Sequence, residues 1–175
     1  TTFDTVDLIH PDDVITQAYT DGAAYRIVER GTSEHTIDQG FKRQAIEAGA
    51  NLHYKSRMKE EDCTIIACGP KGTSAVAYGE IFHTDHPNHI AFQLNDKLAP
   101  GSYSYLIIID GVGLICTCLW RKQRKSDRFL NETIAWYETH YPNLNRRPIK
   151  RVGGKGDFTI NRRYKQDGRY YVGES

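Results

Sequence analysis

The stretch from Ala75 to Trp120 constrains the fold more than any other part of this chain. Four segments in it, Ala75 to His83, His89 to Leu94, Ser102 to Ile109 and Val112 to Trp120, are dense in β-branched and aromatic residues. Those side chains suit a pleated, half-buried surface. Asp110-Gly111 separates the last two segments. Asp-Gly between strand-like runs makes a tight hairpin, because both central positions need positive φ. The pattern predicts an antiparallel sheet of about four strands.

The rest of the chain reads differently. Phe3 to Ile9 alternates as a strand, and His10-Pro11-Asp12-Asp13 is a turn by composition. Val14 to Tyr19 and Ala23 to Glu29 read as strands joined at Thr20-Asp21-Gly22, so the opening is expected to be an antiparallel β-meander. Thr36-Ile37-Asp38-Gln39 fits a capping box. Ile37, Phe41, Ala45 and Ala48 follow on one helical face, and Gly49 closes the helix. Asn51 to Tyr54 reads as a short strand and Ser56 to Asp62 as a charged turn. Cys63 to Cys68 is a continuous apolar run, expected to be a strand buried on both faces.

After the sheet, Ser126 or Asp127 caps a second helix with Phe129, Leu130, Thr133, Ile134 and Tyr137 along one side. Arg146 to Lys165, with Gly153-Gly154-Lys155-Gly156 inside it, reads as an irregular basic loop with a strand near Phe158. Arg169 to Val172 reads as a short buried strand. Gly173-Glu174-Ser175 reads as a strand-to-helix turn. The chain opens on Thr1 and ends in that turn, so it is expected to be a segment of a longer protein. The fold class is α+β: an antiparallel sheet with two main helices.

Composition sets limits on function. A hydrophobic share of 39% with 11 Tyr, 6 Phe and 2 Trp supports a core. No apolar run approaches the ~18 residues of a membrane span, so a cytoplasmic or membrane-peripheral protein is expected. Cys63, Cys68, Cys116 and Cys118 contain no CxxC pair and read as buried free thiols in a reducing compartment. Cys116 and Cys118 share one strand face. The net charge of +1 is unevenly spread: residues 121–175 hold 14 Lys/Arg and 6 Asp/Glu, against 9 and 16 in residues 1–120. Such asymmetry marks either a site for anions or attraction between two halves of one domain.

Few residues single themselves out for chemistry. His83, Asp85, His86 and His89 suit zinc by type, but Pro87 forbids a regular helix there and the run reads as a polar loop. No metal site is assigned. Gly69-Pro70-Lys71-Gly72-Thr73-Ser74 lacks the spacing of a phosphate loop, and GxGxxG is absent. The basic tail with Tyr164, Tyr170 and Tyr171 matches no nucleic-acid motif, so no nucleic acid is expected. Tyr103 and Tyr105 share a strand face and either line an apolar pocket or pack beneath a helix. No catalytic set stands out.

Four landmarks in one order carry a resemblance. They are the capped helix with Asp38-Gln39-Gly40-Phe41, the strand end Ile65-Ile66-Ala67-Cys68-Gly69, the segment Pro100-Gly101-Ser102-Tyr103-Ser104-Tyr105, and Tyr170-Tyr171-Val172-Gly173-Glu174-Ser175. Together they resemble the middle and late part of an FAD-dependent oxidoreductase of the geranylgeranyl-reductase type, within the p-hydroxybenzoate-hydroxylase-like fold. The resemblance implies that residues 1–74 belong to part of an α/β FAD-binding domain. Residues 75–168, with helix 126–140, would be a substrate-binding layer, and residues 169–175 the returning FAD-domain strand and turn. It implies FAD contacts at Gly69, Gly173, Glu174 and Ser175, and an apolar or isoprenoid substrate at Tyr103 and Tyr105.

The sequence departs from the family where Cys68 replaces Thr, Tyr105 replaces Trp, no Phe-Pro follows Tyr105, and Glu174 replaces Asp. The pyrophosphate-binding GxGxxG turn is not in the chain, so it is expected to bind FAD weakly or not at all by itself. Arg146, Arg147, Lys150 and Arg151 are expected to hold an anionic head group. The competing reading is a non-enzymatic sheet module that binds lipid or a partner chain.

Overall fold

A computed structural model describes residues 1–19, 22–69, 72–157 and 164–173. The Ala75–Trp120 stretch forms four long strands: β6 (Ala75–His83), β7 (His89–Gln93), β8 (Ser104–Ile109) and β9 (Val112–Leu119). The β8–β9 turn is the expected hairpin, with Asp110 at φ 50° and Gly111 at φ 79°.

These four are the centre of a larger sheet. It also takes in β2 (Thr5–Ile9), β3 (Ile15–Tyr19) and β10 (Arg147–Gly156), in the order β10-β6-β9-β8-β7-β2-β3. The sheet is thus seven-stranded rather than about four. All its pairings are antiparallel except β2 with β7.

Helix α2 (Ser126–His140) covers one face. Its Phe129, Leu130, Thr133, Ile134 and Tyr137 are buried, the stripe that the 3.6-residue period predicts. Leu130, Ile134 and Tyr137 join Phe82, Leu106, Ile108 and Ile115 in the main core. Burial of such side chains stabilises by about 1.5–3 kcal/mol each. No side chain caps α2; Lys125 is the N-cap, and Asp127 instead receives Arg151 at 2.8 Å. Helix α1 (Ile37–Glu47) is capped as expected, with Gln39 N donating to Thr36 Oγ1 at 3.4 Å and Gly49 at φ 88°.

Four expectations are corrected. First, the opening is not a meander through Asp21-Gly22. β3 folds back on β2 around His10–Asp13, while β4 (Tyr25–Arg26) pairs with β1 (Thr2–Phe3). Thr20 and Asp21 lie outside the described residues. Ala24 and Ile27 pack on Phe3, Val6 and Ile90, so burial of this segment against the second face of the sheet wins over local pairing.

Second, Asn51 to Tyr54 forms no strand, and all four residues are exposed. Third, Cys63 to Cys68 is a strand only at β5 (Ile65–Ile66). Ile66 is 2% exposed but Ile65 63%, so one face alone is covered among the described residues.

Fourth, the basic loop is largely the long strand β10, paired with β6 from Arg147↔His83 to Gly156↔Ala75. At Gly153 the missing side chain leaves room for the Tyr78 ring, so the glycines are part of the strand. Phe158 lies outside the described residues.

The pairing of β10 with β6 also settles where the C-terminal charge goes. Arg146 bonds buried Glu80 through Nη1 and Glu138 through Nε at 2.8 Å. Arg147 bridges Asp85, and Arg151 bridges Asp127 and lies 3.6 Å from Glu80. Attraction between the two parts of the chain therefore accounts for these arginines. They are not a free cluster for an anionic head group.

Glu80→Ala leaves Arg146 without its inner partner in a half-buried setting. We expect a loss of about 3 kcal/mol, read from the urea midpoint.

Candidate functional site

Strand alternation sends Tyr103, Tyr105, Cys116 and Cys118 to the face opposite α2. Tyr105 sits across from Cys116 in the β8–β9 register. The Tyr103 and Tyr105 ring centroids are 6.2 Å apart, and Phe92 lies 6.0 and 6.1 Å from them. Tyr25, from β4, closes on Phe92 at 5.4 Å. The two tyrosines therefore do not pack beneath the helix.

They border a cavity of about 440 Å³ together with Ala75, Ala77, Cys118 and Trp120. That volume is in the range of small-molecule sites. The small side chains of β6 leave the room, and the aromatics of β8 wall it. Burial pushes the Tyr103 and Tyr105 phenols upward. The Cys118 thiol is raised by its hydrogen bond to Cys116 and then by burial. At neutral pH these groups are uncharged, and Cys118 is a poor nucleophile.

A second arrangement gathers distant parts of the chain. β12 (Arg169–Tyr171) pairs in parallel with β5, matching Tyr170 to Ile65 and Tyr171 to Ile66. β11 (Lys165–Gln166) pairs with its other edge. Val172 N donates to Ile66 O at 3.0 Å. Past their carboxyl ends both strands reach a left-handed glycine: Gly69 at φ 78° and Gly173 at φ 68°. A Cβ built on either would meet nothing within 4 Å. Glu174 and Ser175 lie outside the described residues.

In the histidine-rich loop the His86 and His89 rings lie 5.5 Å apart, but their polar contacts go to different partners. Arg147 grips Asp85 at 2.8 and 3.1 Å and holds its carboxyl below the usual range. His86 turns its Nδ1 to Pro87 O at 2.9 Å. His89 Nε2 lies 3.1 Å from Asp7 Oδ2. Among the described residues no three His, Cys, Asp or Glu gather to hold a metal.

The Asp7 carboxylate is a polar centre that sequence reasoning missed. Tyr141 donates to its Oδ2 and Gln17 to its Oδ1, each at 3.1 Å. Its one sequence signal was a carboxylate inside the apolar run Phe3 to Ile9. The partners come from β3, β7 and the residue after α2, and no local spacing relates them.

The fold is shared with proteins of known structure. No protein-family model matches the chain, and no curated protein matches its sequence. A geranylgeranyl bacteriochlorophyll reductase-like protein from Thermoplasma acidophilum aligns over 99% of this chain with a TM-score of 0.67 and 13% identity. The flavin-dependent brominase Bmp2 aligns over 98% with a TM-score of 0.57 and 13% identity. FqzB aligns over 98% with a TM-score of 0.61 and 11% identity. The chain spans 54%, 54% and 52% of those three chains, about half of each. The likeness establishes that this chain shares its α+β fold with about half of each of these three proteins. No helix among the described residues is long and apolar enough to cross a membrane.

Burial lowers the His89 pKa, outweighing the upward pull of Asp7, while His86 lowers it further. The folded value therefore lies below the ~6.5 of an unfolded histidine. The unfolded state binds the proton more readily, so this contribution to stability is present above about pH 6.5 and lost as pH falls. We expect the urea midpoint to drop between about pH 7 and 5, and His89→Gln to flatten that drop.

Proposed function

We propose that this chain is a segment of an FAD-dependent oxidoreductase acting on an apolar substrate. The observation that carries the reading is the aromatic cavity on the sheet face that α2 leaves open. It holds Tyr103 and Tyr105 side by side with Cys118 and Trp120. An isoprenoid or a comparably apolar molecule would lie against those rings and the uncharged phenols and thiol, with Lys155 the charged residue bordering the same space.

In this reading residues 75–168 are the substrate-binding domain, whose sheet β2 and β3 extend, the remainder of residues 1–74 contributes part of the FAD domain, and residues 169–175 begin its returning strand and turn. The residues at the β5–β12 end fit a flavin dinucleotide. Ligands of open α/β sheets sit outside the carboxyl ends of parallel strands, and two left-handed glycines with open space above them occupy that position. Gly69 and Gly173, with Glu174 and Ser175 beyond them, would approach the cofactor by backbone. The flavin would supply hydride exchange, and this chain would supply the surface that orients the substrate and excludes water.

A second reading, a non-enzymatic module holding lipid or a partner chain, draws on one observation. Tyr103, Tyr105 and Cys118, which line the cavity, are all raised, so none of these three is poised as a base near neutral pH, while the adjoining Cys116 thiol is lowered by its hydrogen bond to Cys118.

FAD titration with flavin-fluorescence quenching, carried to high FAD concentration because the chain is expected to bind weakly by itself, separates the two. Saturable binding that Gly69→Val and Gly173→Val each weaken about tenfold or more supports the flavoenzyme. Binding unaffected by both substitutions sinks the cofactor assignment. For the cavity, Tyr103→Ala and Tyr105→Ala should each weaken a polyprenyl alcohol about tenfold in an equilibrium binding assay.

A further inference from the structure

The segment leaving β9 has no role in the reading above. Trp120-Arg121-Lys122-Gln123-Arg124-Lys125 places four cations beside a tryptophan that is 55% exposed. Trp120 borders the apolar cavity and also a neighbouring recess of about 540 Å³, whose walls include Lys122, Arg124 and Lys125. Lys122 and Lys125 border a third recess, of about 330 Å³, with Lys97, Arg128, Phe129 and the carboxylate Asp96. Trp120 borders the first two spaces and Lys122 and Lys125 the second and third, so an aromatic-basic patch lies beside the cavity.

Folding does not explain this concentration. Arg124 and Lys125 sit in the turn that leads into the N-terminus of α2, where the helix dipole disfavours positive charge. Of the nearby acids, Asp96 bonds Arg121 at 2.6 Å and also feels the charge of Lys122, and Asp127 bonds Arg151 at 2.8 Å, so the four cations of the run outnumber the carboxylates beside them. The arginines of β10 contrast with this, since Arg146, Arg147 and Arg151 each meet a carboxylate.

We infer that this patch docks the protein on an anionic lipid bilayer, with Trp120 entering the interfacial layer and Lys122, Arg124 and Lys125 meeting the headgroups. Tryptophan is enriched at membrane interfaces, and juxtamembrane lysines and arginines each add attraction to an anionic surface. One tryptophan beside an apolar cavity suits an interface better than single-stranded nucleic acid, which is held by successive stacked aromatics. The cavity then opens next to the bilayer, where an apolar substrate resides. That consequence rests on the substrate reading above; the docking itself does not.

Vesicle co-sedimentation of the chain tests the docking. Vesicles of phosphatidylcholine mixed with phosphatidylglycerol should bind at least about tenfold tighter than phosphatidylcholine alone, with binding falling as salt rises. Lys122→Glu/Lys125→Glu should weaken that binding roughly 25-fold or more. Lys42→Glu/Lys59→Glu, an equal charge change elsewhere, should alter it less than about twofold. In a Trp136→Phe background the remaining Trp120 emission should shift to the blue on the mixed vesicles, and Trp120→Ser should weaken binding.

Equal binding to both vesicle types overturns the proposal. So does equal loss in the two double variants, an unshifted Trp120 emission, or retention by a single-stranded oligonucleotide with none by vesicles. Tyr103→Ala/Tyr105→Ala separates the two readings: vesicle binding should persist in it whether or not the polyprenyl alcohol binds.

Discussion

Leu130, Ile134 and Tyr137 of α2 pack on Phe82, Leu106, Ile108 and Ile115, and this contact organises the molecule around a sheet with two unlike faces. One helix closes one face. Among the described residues, the second face is covered where Phe3, Ala24 and Ile27 lie over Ile90, Phe92, Ile107 and Ile109. Beyond that patch the face stays open at Tyr103, Tyr105 and Cys118. Because strand side chains alternate, the residues that make the core and those that make the cavity are neighbours in sequence and opposite in space.

Charge is partitioned by the same sheet. β10 runs along β6 and delivers Arg146, Arg147 and Arg151 to Glu80, Asp85 and Asp127. Glu80 is buried, and a buried carboxylate without partners would be strongly destabilising. The basic end of the chain is thus tied to the acidic part by specific pairs. A separate basic run, Lys122, Arg124 and Lys125, lies at the β9–α2 connection, next to the cavity that Trp120 borders.

The small three-stranded sheet, with its parallel β5–β12 pair, is a separate construction. β5 and β12 meet although about a hundred residues lie between them, and the large sheet occupies most of that interval. A parallel pair cannot be closed by a hairpin and needs a long crossover. Helix α1 is well capped, yet Phe41 on its apolar side is 61% exposed. These features agree with a chain that shares its fold with about half the length of the flavin-dependent brominase and the reductase-like protein.

Local chemistry was legible before any coordinates. Thr36 and Gly49 bound α1, the stripe from Phe129 to Tyr137 is the buried side of α2, and Asp110-Gly111 turns β8 into β9. Each depends on residues within a few positions of one another, where φ, capping and periodicity act. Alternation likewise put Tyr103 with Tyr105, and Cys116 with Cys118, on common faces. Which face lay under the helix was not local. It follows from where α2 docks, and that decided that the tyrosines wall a cavity. The glycine-rich basic run looked like a loop because its strand character comes from pairing with β6 rather than from its own side chains. The Asp7 cluster, with partners from three further parts of the chain, and the approach of Gly69 to the Gly173 end of the chain required tertiary structure altogether. Hydrogen bonds and parallel pairing between distant segments leave no mark in residue spacing, so only the folded chain could decide them.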